Sequence, residues 1–360
     1  MPADEIEVAT TSPSAAPTAT TTRTTSEATS EVMSEVMPLR SDVALVNLRP
    51  RDTPFDALVP WPDGIGYVRA WGGSRGMVTF PTEAAVPAVL RDIFDRDAYD
   101  VVDDDEVRGL LQLQQEHGVR VVYLVNVNDT LDSQLRFIAH LRNVGLDIAM
   151  LEMGNELYLP KFGTGDLTKL GVTRPWTAEE YVEVLAEWGP VLRAAEPTIP
   201  IYALAASHGS ISTASDMRRR AWNEALRTAI ESDPDLVDGV TFHLYASATA
   251  DDGAVTGEEA VVANDELDVG FLDDIGDIPI AITESGVRFE PSDPSGPDRA
   301  EAFWTGVRDA LGPNDLFGVH VMYEGERRSA GPGYALFDDA GRTPVGDRFA
   351  QWLQGWVSPI

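Results

Sequence analysis

Residues 147–156 read DIAMLEMGNE. A short, mostly apolar run ends abruptly in glycine, asparagine and an acid. The run shows little alternation of apolar and polar residues and is too short for a stable helix, so it reads as a strand buried on both faces. Strands of that kind belong to parallel sheets covered by helices. One carboxylate, Glu152, lies inside the apolar run, and a second, Glu156, follows it four positions later at the strand end.

Working outward, seven further runs have the same character: VALVNL (43–48), GYVRAW (66–71), VRVVYLVN (119–126), PIYALAA (200–206), DGVTFHLY (238–245), PIAITE (279–284) and FGVHVMY (317–323). Helical patterns separate them. DDEVRGLLQLQQEHG ends at Gly118, and DSQLRFIAHLRNVG ends at Gly145. Thr177 and Glu180 form a capping-box pair that opens a helix through about Arg193. MRRRAWNEALRTAI, DRAEAFWTGVRDALG and VGDRFAQWLQGW supply three more helices, and 258–277 supplies a weaker one. The first connection, 49–65, is rich in proline and has no helical period. Eight strands alternating with helices predict an α/β fold, a single (β/α)8 TIM barrel over 41–360. An open doubly wound sheet is the alternative, but no GxGxxG or GxxxxGK[ST] phosphate loop is present. Residues 1–40, rich in Ser, Thr, Ala and Pro and containing SEVMSEVM at 30–37, read as a disordered tail.

Composition narrows the function. The 360 residues carry 59 Asp and Glu against 27 Lys and Arg, a net charge of −32. Nucleic acid and anionic membrane surfaces need basic patches and are poor partners for such a chain. Cysteine is absent, so disulfides, thiolate metal sites and cysteine nucleophiles are excluded. The five histidines, His117, His140, His208, His243 and His320, show no HExxH or HxH spacing, and no metal or organic cofactor is expected. No apolar stretch reaches the roughly 20 residues of a membrane span. The N-terminus lacks the basic and apolar regions of a signal peptide, so the expected location is the cytoplasm.

In a β/α barrel the reactive groups sit at the C-terminal strand ends. There the sequence places Arg69 and Trp71 (strand two), Asn126 (three), Asn155 and Glu156 (four), His243 and Tyr245 (six), Glu284 (seven) and Tyr323 (eight). Alternation puts His243 and Tyr245 on one face of their strand. Strands four and seven lie three steps apart around the ring, so Glu156 and Glu284 face each other across its mouth. Two carboxylates flanking a sugar are the equipment of glycoside hydrolysis. Trp61, Trp71 and Tyr158 are candidates for stacking on a sugar face. His208 and His320 read as core or rim histidines.

The string Glu152-x-Gly154-Asn155-Glu156, together with Glu284, resembles the clan A retaining glycoside hydrolases, in particular their heparanase/β-glucuronidase and arabinofuranosidase/β-xylosidase branches. Arg69 with Gly72-Gly73, and His243-x-Tyr245, extend the likeness. The resemblance implies that Glu156 is the acid/base and Glu284 the nucleophile of a double displacement at a β-type bond. It also implies that Asn155 binds the substrate 2-hydroxyl and that Arg69 and Tyr245 orient Glu284. Two positions depart from the pattern: Leu157 stands where proline is frequent, and Tyr323 where a tryptophan is frequent. Two other readings of the same residues are a barrel that binds carbohydrate without hydrolysing it, and a metal site built from Asp129, Glu156 and His243 or Glu284. Glu152, inside the barrel, needs a buried partner, for which an inward arginine or backbone donors are the candidates.

Overall fold

The computed structural model describes residues 39, 43–88, 99–159, 176–206, 213–247, 278–288, 294–312, 315–320, 335–338 and 341–356. The weaker helix at 258–277, Tyr323, and all of 1–40 except Leu39 lie outside them. Leu39 is buried against the apolar group that includes Val43, Leu45 and Tyr67.

The eight expected strands form, each within two residues of its expected start: β1 (Ala44–Leu48), β2 (Ile65–Ala70), β3 (Arg120–Val125), β4 (Ile148–Met153), β5 (Ile201–Leu204), β6 (Gly239–Ser247), β7 (Ile280–Arg288) and β8 (Leu316–Val319). All pair in parallel with their sequence neighbours, and β8 pairs with β1 to close the barrel. Closure leaves no sheet edge. Alternate side chains therefore fill the interior or face the helices.

The helices are α1 (Asp104–His117), α2 (Leu131–Asn143), α3 (Ala178–Ala195), α4 (Thr213–Ser232), α5 (Gly296–Ala310) and α6 (Pro344–Trp356). Their ends follow local chemistry. Asp103 and Thr130 cap α1 and α2 by accepting from Glu106 N and Ser133 N. Gly118 ends α1 in the left-handed conformation. The Thr177–Glu180 capping box is present in both directions at α3. The proline-rich first connection contains two 3-10 turns, Pro50–Asp52 and Phe55–Ala57, and no α-helix. Between β2 and β3 lies a small parallel pair, Thr79–Phe80 with Asp100–Val101, which the hydrophobic pattern does not foretell.

Inside the barrel two layers differ in kind. At the N-terminal end, Leu45, Tyr67, Val122, Met150, Tyr202, Ala281 and Leu316 form an apolar floor. Two residues further along the same strands come Asn47, Arg69, Glu152 and Thr283, all buried and all polar. The step of two is the strand period, so both layers point the same way. Between β6 and β7 the register slips by one: Phe242 pairs with Ile282, but His243 pairs with Glu284. The extra residue, Thr283, is a bulge of the kind that re-aims a side chain near an active site. It allows Thr283 and Glu284, adjacent in sequence, both to join the polar layer.

The capping box gives a direct check on α3. Thr177→Ala should lower stability by about 1 kcal/mol, read as a shift of the urea midpoint with an unchanged slope.

Candidate active site

Arg69 is the centre of the polar layer and is fully buried. Its Nε donates to Glu152 Oε2 on β4. Its Nη1 donates to Glu284 Oε1 on β7 (2.5 Å) and Asn47 Oδ1 on β1 (3.0 Å). Its Nη2 donates to Asn155 Oδ1 (2.8 Å) and lies 3.5 Å from His243 Nε2 on β6. Glu152 is the buried acid that needed a partner. It has Arg69, and its Oε1 also accepts from Thr283 Oγ1 at 2.8 Å. Asn47 in turn donates to Thr283 O at 2.6 Å. Burial works against the charge on Arg69, but Glu152 and Glu284 outweigh it and raise its pKa above the ordinary value.

Glu284 is held from three further sides. Tyr245 OH donates to its Oε2 at 2.7 Å. His243 Nδ1 and His320 Nδ1 stand 3.6 and 3.7 Å from the same oxygen. Burial would raise the carboxyl's pKa. His243, His320 and Arg69, with the tyrosine hydrogen bond, more than reverse that and hold it well below the usual carboxylate range. Glu284 is therefore ionised across the neutral range.

The two histidines differ. Burial pushes His320 down to about 4, and Arg49, Arg69 and His243 add to this against the pull of Glu284. Burial also acts to lower His243, but Glu284 and Glu156 prevail over it and over Arg69, so His243 keeps its proton above its ordinary value. His320 is thus neutral near pH 7, and His243 is the more basic of the two.

Glu156 is the more open carboxylate, with 17% of its side chain exposed against 6% for Glu284. Its Oε1 lies 3.1 Å from His243 Nδ1. That nitrogen is 3.1 Å from Glu156 and 3.6 Å from Glu284, so their nearest oxygens are at most about 6.7 Å apart. Glu156 has φ of 44° and follows Gly154 at 90°. These two left-handed residues turn the chain sharply, so that Glu152 and Glu156 both reach His243 (3.9 and 3.1 Å) despite their separation along the strand. Asn155 is fully buried, and its Nδ2 has no hydrogen-bond partner among the described residues. A buried donor without a partner is an exception among folded proteins.

Arg69, Asn155, Glu156, His243, Tyr245 and Glu284 thus converge, as their strand-end positions predict. Trp71 and Asn126 do not join them. β2 stops at Ala70, and Trp71 has φ of 56°. Its indole donates to Glu106 Oε2 at 2.6 Å and packs edge-on against Tyr123 and Phe137, outside the barrel wall. Asn126 Nδ2 donates to Thr79 O at 2.9 Å, and its Oδ1 accepts from Asn128 N, so it ties down the loop after β3. Tyr158 packs against Trp222 in the same way. Asn47, Thr283 and His320 are members that the strand-end survey passed over. A polar residue inside an apolar run was the signal for Asn47 and Thr283. Gly72 is required by close approach: a Cβ there would lie 2.5 Å from Arg69 Nη1. Among the described residues no three His, Asp or Glu are grouped to hold a metal ion, and no helix is long and apolar enough to cross a membrane.

The closed eight-stranded barrel is a fold shared with glycoside hydrolases. The chain is similar to an α-L-arabinofuranosidase from Thermotoga maritima, seen with arabinose (TM-score 0.55, 16% identity, 81% of this chain and 61% of that one). It is also similar to a glucosidase from Croceicoccus marinus (0.57, 11%, 89% and 69%). A third likeness is to an endo-1,4-β-D-mannanase from Thermotoga petrophila RKU-1 (0.51, 14%, 88% and 99%). At these identities the likeness is one of fold, and the chain spans 61% of the length of the arabinofuranosidase. No protein-family model and no curated protein matches the chain.

Removing the central cation leaves two buried carboxylates without their counter-charge. Arg69→Met should therefore cost about 3–5 kcal/mol of stability, measured by chemical denaturation.

Proposed function

We propose that the chain is a retaining glycoside hydrolase acting on a β-type glycosidic bond of a carbohydrate substrate, with Glu284 as nucleophile and Glu156 as acid/base. The observation that carries this reading is the unequal state of two facing carboxylates. Glu284 is buried, hydrogen-bonded on both oxygens and held ionised. Glu156 is more open, with His243 beside it. The bound on their nearest oxygens is compatible with the ~5–5.5 Å of retaining pairs. The β assignment rests on the motif resemblance, because the fold also serves an α-L-arabinofuranosidase.

In the first step a Glu284 oxygen attacks the anomeric carbon. The bond to the leaving oxygen breaks, and that oxygen takes a proton from Glu156. In the second step Glu156 removes a proton from water, whose oxygen displaces Glu284 and regenerates its carboxylate. Two inversions return the original configuration. Asn155 Nδ2 donates to the neighbouring 2-hydroxyl, a bond that helps catalysis to the extent that it tightens in the oxocarbenium-like transition state. Arg69 and Tyr245 keep Glu284 charged and oriented. His243 Nδ1 stands 3.1 Å from Glu156 Oε1, on the side of the acid/base.

The cluster is more than a sugar-binding surface needs. Binding alone does not call for a nucleophile held ionised inside a barrel.

Glu284→Ala and Glu156→Ala should each abolish turnover of an aryl glycoside. Azide should restore Glu284→Ala with an inverted glycosyl azide and Glu156→Ala with a retained one. Full activity in either variant would remove the assignment. The pH profile of kcat/KM carries a second check. A nucleophile with a depressed pKa puts the acid limb at low pH. His243, whose pKa is raised by the carboxylates around it, puts the alkaline limb above the ordinary histidine value of about 6.5. In His243→Gln that limb should move. An unmoved limb would assign it to another group.

A further inference from the structure

The left-handed backbone at Glu156, φ 44°, is strained for a residue with a side chain and persists only where its surroundings impose it. On the N-terminal side the imposition is visible. Gly154 N donates to Val125 O at 3.1 Å and to Glu152 O at 3.0 Å, and Asn155 N lies 3.3 Å from Met77 Sδ. On the C-terminal side Leu159 N closes a turn onto Glu156 O at 2.8 Å. The remaining hold comes from a different element, helix α4.

Arg218, half-buried on α4, donates through Nε to Tyr158 O and through Nη2 to Leu157 O (3.4 Å) and Trp176 O. All three acceptors are main-chain carbonyls, and two belong to the residues directly after Glu156. None of its partners among the described residues is a carboxylate, although the chain has 59 acids for 27 Lys and Arg. The planar guanidinium, with several donors in fixed directions, can bridge several carbonyls at once, which an ammonium does less well. One residue on, the Arg219 guanidinium sits 5.3 Å from the centre of the Tyr158 ring. Trp222, one turn beyond Arg218, meets Tyr158 edge-on at 6.1 Å. The helix is itself moored to the end of β5: Trp222 Nε1 donates to Leu204 O at 2.9 Å, and Asn223 exchanges two hydrogen bonds with the Ala206 main chain. A fixed helix therefore grips the chain immediately after the strained residue.

We infer that Arg218 is a positioning residue for Glu156: by holding the carbonyls of Leu157 and Tyr158 it keeps Glu156 in the left-handed turn that presents its carboxyl to the leaving oxygen. Arg218 touches neither substrate nor reacting atoms and acts through the backbone. The inference rests on the acid/base role proposed for Glu156.

The test uses the full chain carrying Arg218→Gln and two aryl glycosides of a sugar that the wild type accepts. A phenyl leaving group needs protonation; a 2,4-dinitrophenyl group does not. For the phenyl glycoside kcat/KM should fall about tenfold or more, a loss of general-acid assistance, while the dinitrophenyl value stays within about twofold. Arg218→Lys should fall between the wild type and Arg218→Gln. A crystal structure of Arg218→Gln should show Glu156 out of the left-handed region. Equal losses for both leaving groups, no loss for either, or an unchanged Glu156 φ would overturn the inference. So would failure of both variants to fold, which would make Arg218 a residue of the fold alone. A wild type that hydrolyses no aryl glycoside overturns the proposed function instead, and the Glu156 φ in the variant then decides about Arg218 by itself.

Discussion

A buried guanidinium organises the C-terminal mouth of this barrel. Arg69 has no exposed surface, and its donors reach residues on or just beyond β1, β4 and β7. A cation in that position is stable only with counter-charges and hydrogen-bond acceptors around it. Two carboxylates provide the charge, and two asparagine oxygens take other donors. The same requirement read from the other side explains the chemistry. A carboxylate that neutralises a buried arginine stays ionised, and an ionised, fixed carboxylate is what a nucleophile at an anomeric carbon must be. Glu152 takes part of the same charge without facing the mouth, so the structural acid and the proposed nucleophile are held by one group.

Left-handed residues gather around this layer. The floor of the barrel is apolar, and the strand register shifts there too, between Ala44 and Leu45 and between Val121 and Val122. Above it come the β6–β7 register slip, the left-handed Trp71 and Glu156, and the left-handed glycines Gly73 and Gly154. Each changes where a side chain points. The slip turns Glu284 into the layer next to Thr283. The turn at Trp71 sends the indole outward and lets Gly72 pass within a Cβ's reach of Arg69. The turn at Glu156 brings a carboxylate back toward His243. Regular strands would deliver inward side chains only at every second residue, which is too sparse for a site of this density.

The electrostatics of the site divide the labour among like residues. Two carboxylates are told apart by their neighbours: one is enclosed by donors and cations, the other is partly open beside a single imidazole. Two histidines are told apart by balance. Burial wins at His320, and the adjacent carboxylates win at His243. Environment rather than residue type sets each role.

Much of this was legible in the chain itself. Eight short apolar runs alternating with capped helices sufficed for the barrel, because burial on both faces and helix-end chemistry are local properties of sequence. The rule that reactive groups cluster at strand C-termini then pointed to Arg69, Asn155, Glu156, His243, Tyr245 and Glu284, which the fold brings together. The same rule failed for Trp71 and Asn126, since one left-handed residue or one loop hydrogen bond redirects a side chain and neither leaves a sequence pattern. Asn47, Thr283 and His320 went unrecognised for a related reason. Asn47 and Thr283 have partners more than a hundred residues away, His320 meets Glu284 and Tyr245 from two other strands, and only the closed barrel brings those together. Sequence alone determined which layers are apolar and which strand ends are polar. The tertiary structure decided which of those polar groups meet, because a one-residue slip or a single positive φ reverses the direction of a side chain without changing its identity.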